Sequence, residues 1–318
     1  MQNLSRRIWH RMTRPVYLAS MAMKADAFLV SYPKSGRTWF RFLLSNYFAR
    51  AYKLDIDVDL HSMFRILPNF DADPVRGLPA FALSKGRAEL PLVPVSHLEF
   101  SRRLFLNRPI ILMVRDPRDV IVSSYFHATR QKHSFQGGMG EFIADQQRGL
   151  PALIRYLNGW AKGAGSRKTH IVTYEKLAAD TAVETTKVLS FLGCAINPLD
   201  VERAVAAGRF SAMKEQEISI GLPAHEYDRA DDESLRMRRG KVGGFTDYLD
   251  AGQIRIIEET CARELTPAAM KLLEGTGMVA APPEAHRFRP VLIAPQKSAG
   301  AAGPAMRHAT SKRSTPAR

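Results

Sequence analysis

Three short, almost uninterrupted apolar runs, residues 27–32, 109–115 and 170–174, each lead straight into a stretch with helical apolar spacing, residues 38–50, 117–130 and 181–192. Apolar runs of this length, without polar alternation, are what strands need when both faces are covered. Parallel neighbours require a long crossover, and a crossover helix covers the sheet as it returns. The expected fold is therefore α/β, a three-layer α/β/α arrangement around a central parallel sheet. Its ligand crevice is expected at the carboxyl ends of the strands, where they turn into helices. Pro117 fits this reading, because proline is tolerated in a first helical turn.

Composition bounds the rest. The chain has 318 residues, 45% apolar and 24% charged, enough for a sizeable core and incompatible with disorder throughout. Its net charge of +15 is concentrated at the two ends. Residues 1–24 carry Arg6, Arg7, Arg11, Arg14 and Lys24 without an acid, and residues 280–318 carry seven basic residues against Glu284 alone. We expect three parts: a basic N-terminal segment over 1–24, one domain over 25–279 and a flexible basic tail over 280–318. Leu4, Ile8 and Met12 recur at helical spacing up to Pro15, so an amphipathic helix is expected, packed on the domain in preference to a membrane surface. The segment imitates a signal peptide, but its apolar part is short, contains Ser20, and cleavage would leave Phe28-Leu29-Val30 as the new terminus. No window approaches the roughly 18 apolar residues of a membrane span. Two cysteines, Cys194 and Cys261, make no disulfide framework and have no metal-ligand spacing, so a reducing, cytoplasmic setting and no metal are expected.

The chemistry lies at the turns. The first reads Ser31-Tyr32-Pro33-Lys34-Ser35-Gly36-Arg37-Thr38-Trp39. Backbone N–H groups at a helix start, beside a lysine and two hydroxyls, suit a phosphate. The loop is not that of the nucleoside triphosphatases, because Lys34 precedes the single glycine. At the second turn Arg115 ends a strand and Ser123 follows two helical turns later, so both can reach one anion. Arg118 and Asp119 read as surface ion pairs. A third basic cluster, Arg236-Met237-Arg238-Arg239-Gly240-Lys241-Val242-Gly243, reads by itself as a solvated loop.

Together these motifs resemble the cytosolic-type sulfotransferases, enzymes that use 3′-phosphoadenosine 5′-phosphosulfate (PAPS), over about residues 26–275. The resemblance implies the P-loop-NTPase-like sulfotransferase fold. It makes Lys34, Ser35, Gly36, Arg37, Thr38 and Trp39 the 5′-phosphosulfate loop, with Arg37 where a threonine is common. It gives Arg115 and Ser123 to the 3′-phosphate, and Arg238, Arg239 and Gly240 to a late loop closing over the same phosphate, with Gly244-Phe245 replacing an Asp-Trp pair. Trp39 and Phe210 would stack the adenine and Tyr174 would touch it, while Phe210-Ser211-Ala212-Met213-Lys214 fits a family element. Gly208 and Arg209 stand where hydroxyl residues are usual.

Val95-Ser96-His97-Leu98 is the best match to the segment bearing the family's general base, so His97, Lys34 and Ser123 are the expected catalytic residues, with Glu99 the reserve base. His127 and His133 are expected on the acceptor side or in solvent. The implied reaction moves a sulfuryl group to a hydroxyl of a glycan, glycolipid or small alcohol or phenol, leaving adenosine 3′,5′-bisphosphate (PAP). Residues 52–108 and 131–165 are expected to supply much of the acceptor pocket, and the basic N-terminus tilts the acceptor toward a membrane-associated lipid or saccharide. Two other classes are weighed. A nucleotide kinase would need a complete triphosphate loop and Mg²⁺ ligands, and neither is found. A membrane- or nucleic-acid-binding protein would owe its binding to the basic ends, and nucleic acid is not the expected principal partner. The family's late dimer motif is not visible after Phe245, so oligomeric state stays open.

Overall fold

A computed structural model describes residues 15–82, 89–223 and 225–278. The helix expected over Leu4 to Met12 and the tail over 280–318 lie outside the described residues.

Four parallel strands form one sheet in the order β2-β1-β3-β4: β1 Phe28–Ser31, β2 Val95–Ser96, β3 Ile110–Val114 and β4 Thr169–Thr173. Leu29 lies opposite Val95 on one side and Ile111 on the other, and Ile111 lies opposite His170. Residues alternate between the two faces, as strand geometry requires. Phe28, Val30, Ile110, Leu112 and Val114 enter one core with Phe105, Phe142 and Trp160. Leu29, Ile111, Met113 and Val172 enter a second, with Phe40, Leu43, Tyr47 and Phe48. Edge-on contacts lock the first core, Phe28 to Phe105 at 5.0 Å and Phe105 to Trp160 at 4.9 Å between centroids. This is the α/β/α layering that the continuous apolar runs imply. β2 has two residues, too few for a periodic signal.

Helix Arg37–Ala51 follows β1, Pro117–Phe126 follows β3, and the short Tyr174–Ala179 follows β4 ahead of Thr181–Phe191. The helix expected to reach residue 130 stops at Phe126, where a π turn over His127–Gln131 takes over and Lys132 N–H donates to the His127 carbonyl at 3.0 Å. Apolar periodicity does not separate these two windings. Residues 15–24 are helical and bury Leu18 and Ala22 in the first core, while Val16 and Met23 face outward. The described part of the N-terminal segment therefore packs on the domain. No helix among the described residues is long and apolar enough to cross a membrane.

The strand order places the site. The chain leaves β1 for β2 on one side, then crosses to β3 on the other. The loops after β1 and β3 thus flank a topological switch point, the position where open α/β sheets bind ligands.

Candidate active site

The loop after β1 is shaped by backbone geometry. Gly36 has φ +95°, and a Cβ there would stand 2.5 Å from Tyr174 Cδ2 and 2.9 Å from Met113 Cε, so only glycine fits against β3 and β4. Lys34 is also left-handed, at φ +70°, a costly conformation for a side chain and one that aims it into the crevice instead of along the surface. Gly36 caps helix Arg37–Ala51 without any side-chain hydrogen bond, leaving the first N–H groups of the helix free for an anion. Ser35 turns inward, 2% exposed, and its N–H reaches back to the Tyr32 carbonyl, so its side chain is not on the cavity wall. Burial, reinforced by Arg236, Arg238 and Arg115 and opposed by Glu217, holds the Lys34 ammonium well below the usual lysine range.

Lys34, Gly36, Arg37, Thr38 and Trp39 line one cavity of about 290 Å³, together with His97, Arg115, Ser123, Tyr174, Phe210, Arg238, Arg239 and Gly240. Every sequence-predicted site residue except Ser35 and the reserve Glu99 thus meets in one place. Four of them stand at the carboxyl ends of the strands: His97, Arg115 and Tyr174 directly after β2, β3 and β4, and Lys34 three residues after β1.

Arg115 is held by Asp119 at 3.1 Å, donates to the Lys241 carbonyl at 3.2 Å and lies over the Tyr174 ring at 4.2 Å. Among the described residues its buried Nε has no hydrogen-bond partner, which leaves a donor for a bound anion. Ser123, two turns into its helix, joins the same wall. Asp119 is not the surface residue expected from the sequence. It is 3% exposed, because its carboxylate accepts Gly243 N–H at 3.0 Å and Phe245 N–H at 2.9 Å. Arg118 is likewise tucked in, bound to Asp116 at 2.6 Å and Glu258 at 2.5 Å and lying over Phe245.

His97 Nδ1 lies 2.7 Å from the Ser31 carbonyl. A carbonyl only accepts, so Nδ1 carries the proton and Nε2 keeps its lone pair. Burial, together with Arg37, Arg236 and Arg41, holds the imidazole well below its usual pKa, so it is neutral at pH 7. Glu99 is exposed and off the cavity wall. His127 sits behind the cavity against Gln131, its pKa lowered to about 3 by burial and by Lys34 and Arg236.

The aromatic side is built by close approach. Trp39 donates Nε1–H to the Gly208 carbonyl at 2.8 Å and meets Tyr174 edge-on at 5.6 Å. A Cβ on Gly208 would strike Leu43 at 2.4 Å, which explains why no hydroxyl residue stands there. Phe210 is 40% exposed, and Gly240, at φ +63°, lies so close that a Cβ would meet its ring at 2.4 Å. Arg238 is 12% exposed, pairs with Glu233 at 3.1 Å and lies over the Phe126 ring, while Arg239 reaches Tyr248 from the rim.

Sequence reasoning passed over two residues. Arg236 lines the cavity, and the wholly buried Glu217 accepts Arg236 N–H at 2.7 Å, Met237 N–H at 2.8 Å and the Tyr227 hydroxyl at 2.7 Å, fastening the late loop to helix Phe210–Ile220. A buried carboxylate on an amphipathic helix leaves no local sequence signal. Arg236 was visible only as part of a basic run.

A family model described as "Sulfotransferase domain" matches residues 24–274. The 3-alpha-hydroxysteroid sulfotransferase of Cavia porcellus is 25% identical over 258 residues, covering 78% of this chain and 86% of the relative. Cytosolic sulfotransferase 1 of Danio rerio is 26% identical over 265 residues, covering 77% and 84%. Among solved structures, mouse sulfotransferase SULT7A1 complexed with PAP superposes with a TM-score of 0.55 at 22% identity, over 79% of this chain and 89% of that one, a likeness of fold.

Proposed function

The chain belongs to the sulfotransferase family and moves a sulfuryl group from PAPS to a hydroxyl-bearing acceptor, and from that premise we propose how its residues divide the work. The carrying observation is the convergence of His97, Lys34 and Arg115, from three adjacent strand ends, on one cavity.

The cavity suits PAPS in its donor set: an uncapped helix N-terminus, a lysine, and an arginine with a spare buried Nε. The amides at Gly36 to Trp39 bind the 5′-phosphate. Arg115, Ser123 and Arg238, helped at the rim by Arg239, bind the 3′-phosphate and so select the nucleotide. Trp39 and Phe210 take the two faces of the adenine, Tyr174 borders it, and Gly240 leaves room for the Phe210 ring. Ser35 contributes through the loop backbone it shapes.

Sulfuryl transfer, like phosphoryl transfer, needs alignment and charge stabilisation more than covalent help. His97 Nε2 takes the acceptor proton as the acceptor oxygen bonds to sulfur. Lys34 neutralises the charge that gathers on the phosphate oxygen as its bond to sulfur breaks, with Ser123 alongside. The Ser31 carbonyl fixes the tautomer that makes the His97 step feasible and steadies the imidazolium that follows. Products are a sulfate ester and PAP.

The acceptor is an alcohol or phenol, free or part of a glycan or glycolipid. Hydroxysteroids, named for the Cavia porcellus relative, belong in the first screen. Membrane contact by the basic N-terminal segment rests on residues 1–14, outside the described residues, and liposome co-sedimentation of the full chain tests it.

The first experiment titrates the protein with PAP beside AMP, ADP and ATP with Mg²⁺ and follows Tm. A ligand of the native state raises Tm once its concentration exceeds Kd. Selective stabilisation by PAP, lost in Arg115→Ala, is expected. A shift only with ATP and Mg²⁺ would reject this reading in favour of a kinase.

A further inference from the structure

We propose that the acceptor alcohol also carries an anionic group, a carboxylate or a phosphate or sulfate ester, bound beside His97 by Arg37 and Arg236. The proposal rests on the assignment of Lys34, Arg115, Ser123 and Arg238 to PAPS, which leaves the Arg37 and Arg236 side chains, both close enough to His97 to act on its charge, without a role.

Arg37 and Arg236 line the same cavity as His97. Among the described residues, the Arg37 side chain has no hydrogen bond or ion pair. Among the described residues the Arg236 side chain has one hydrogen-bond partner, His225 at 3.3 Å, its buried Nε is unpartnered, and Glu217 and Tyr227 act on its charge from nearby. His225 in turn faces Lys132 at 3.0 Å. Behind Arg37, Arg41 is 2% exposed, holds Asn69 at 2.6 Å through one nitrogen, lies over Phe64 and leaves its Nε unbonded.

The carboxylates that answer these cations are few. Asp71 faces Arg37 and Arg41, and Asp73 is taken by Arg76 at 3.3 Å. Glu217 spends its oxygens on two backbone N–H groups and a tyrosine hydroxyl. Burial and the neighbouring Arg236 disfavour the Arg37 charge, and Tyr156 and Asp71 offset this only in part, so the guanidinium is short of counter-charge. Gathering unpaired cations in a half-buried wall is costly unless an anion completes it. A guanidinium fork meets carboxylate and phosphoryl oxygens with paired, charge-assisted hydrogen bonds, so the missing partner is an oxyanion. In the assignment above PAPS does not meet this need, because its phosphates take the loop amides, Ser123 and the side chains of Arg115 and Arg238. A neutral hydrocarbon acceptor would leave the free guanidinium nitrogens of Arg37 and Arg236 desolvated and without hydrogen-bond partners.

Calorimetry on the PAP-saturated full chain tests the proposal with matched pairs: 4-hydroxybenzoate beside 4-hydroxybenzamide, and glucose 6-phosphate beside glucose. We expect the anionic member of at least one pair to bind about tenfold or more tighter, as charge-assisted hydrogen bonds to a desolvated arginine require. That preference should vanish in Arg37→Thr and in Arg236→Gln and persist in Arg255→Gln, an exposed control paired only with Glu259. No preference for the anion in either pair, including no binding by any member, overturns the proposal, as does a preference that survives both variants. PAP binding, read in the same preparations, reports separately on the cofactor assignment and on folding of the variants; its absence from the parent protein would reject that assignment and this proposal with it.

Discussion

The carboxylate of Asp119 stands 3.1 Å from the Arg115 guanidinium and at the same time holds Gly243 and Phe245 through their N–H groups. One buried side chain thereby fixes both walls of the proposed 3′-phosphate site, the arginine at the end of β3 and the late loop that carries Arg238 to Gly240. It lies in the first turn of helix Pro117–Phe126, three residues after the cap Asp116.

Asp119→Asn keeps the size but has one acceptor oxygen in place of two and no charge, so it cannot satisfy both N–H groups and Arg115 together. KM for PAPS should rise about tenfold or more, with kcat changed much less, because an anchoring hydrogen bond to a charged group is worth about 1.5–3 kcal/mol. Steady-state kinetics with PAPS varied decides it. A drop confined to kcat would place Asp119 in the chemical step instead.

His97→Gln should behave in the opposite way. General-base catalysis contributes roughly 10²–10⁴-fold, so turnover should fall by about that amount while the Tm shift with PAP is retained. The parent enzyme should stay active well below pH 6.5, because burial keeps His97 neutral there. Retained turnover in His97→Gln would move the base elsewhere, and Glu99, exposed and off the wall, is poorly placed to take over.

Much of this was legible because local patterns carried it. Continuous apolar runs gave away strands covered on both faces, and Lys34, Arg115 and Tyr174 stand within three residues of the ends of three of them. His97 was harder, since β2 is too short to show periodicity and only its resemblance to a family segment drew notice. What stayed hidden depends on contacts far apart in sequence. Asp119 reads as a surface residue until its partners at 243 and 245 are known, and Glu217 is silent until the loop at 236 and 237 folds onto it. The π turn after Phe126 escaped for a different reason, since it preserves the apolar pattern while changing the winding.

Gly240→Ala tests the aromatic wall. The added Cβ must displace the Phe210 ring from 2.4 Å and also occupy a left-handed φ of +63°, strain of about 1–3 kcal/mol. PAP affinity should fall about tenfold or more. Phe210→Ala together with Gly240→Ala should cost little beyond Phe210→Ala alone, because the clash is gone. Additive losses in this double-mutant cycle would show that Gly240 acts through the backbone and not through the ring.

Acid stability should expose the buried imidazoles. His127 has a folded pKa of about 3 against 6.5 when exposed, so between these values the unfolded chain binds more protons. Stability is therefore intact above about pH 6.5 and is lost as pH falls toward 3. His127→Gln removes that proton uptake, so its Tm should decline less than that of the parent between pH 7.5 and 5. Parallel declines would mean that His127 is solvated in the folded protein.

Lys34 sets the alkaline limit by the same reasoning applied to a single reactive group. Its ammonium is held well below the ordinary lysine pKa by burial and by Arg236, Arg238 and Arg115. In the free enzyme its charge is therefore lost as pH rises through that lowered value, before 10.5 is reached. kcat/KM for PAPS, which reports the free enzyme, should fall over this range. The limb in kcat should lie at higher pH, because bound phosphosulfate supplies the counter-charge that favours the ammonium. Lys34→Arg keeps its charge across the whole range but presents a planar fork in place of a point charge. That variant should turn over more slowly and show no alkaline limb below pH 10. If the limb persists unchanged in Lys34→Arg, another group controls it and the role given to Lys34 at the leaving oxygen is wrong.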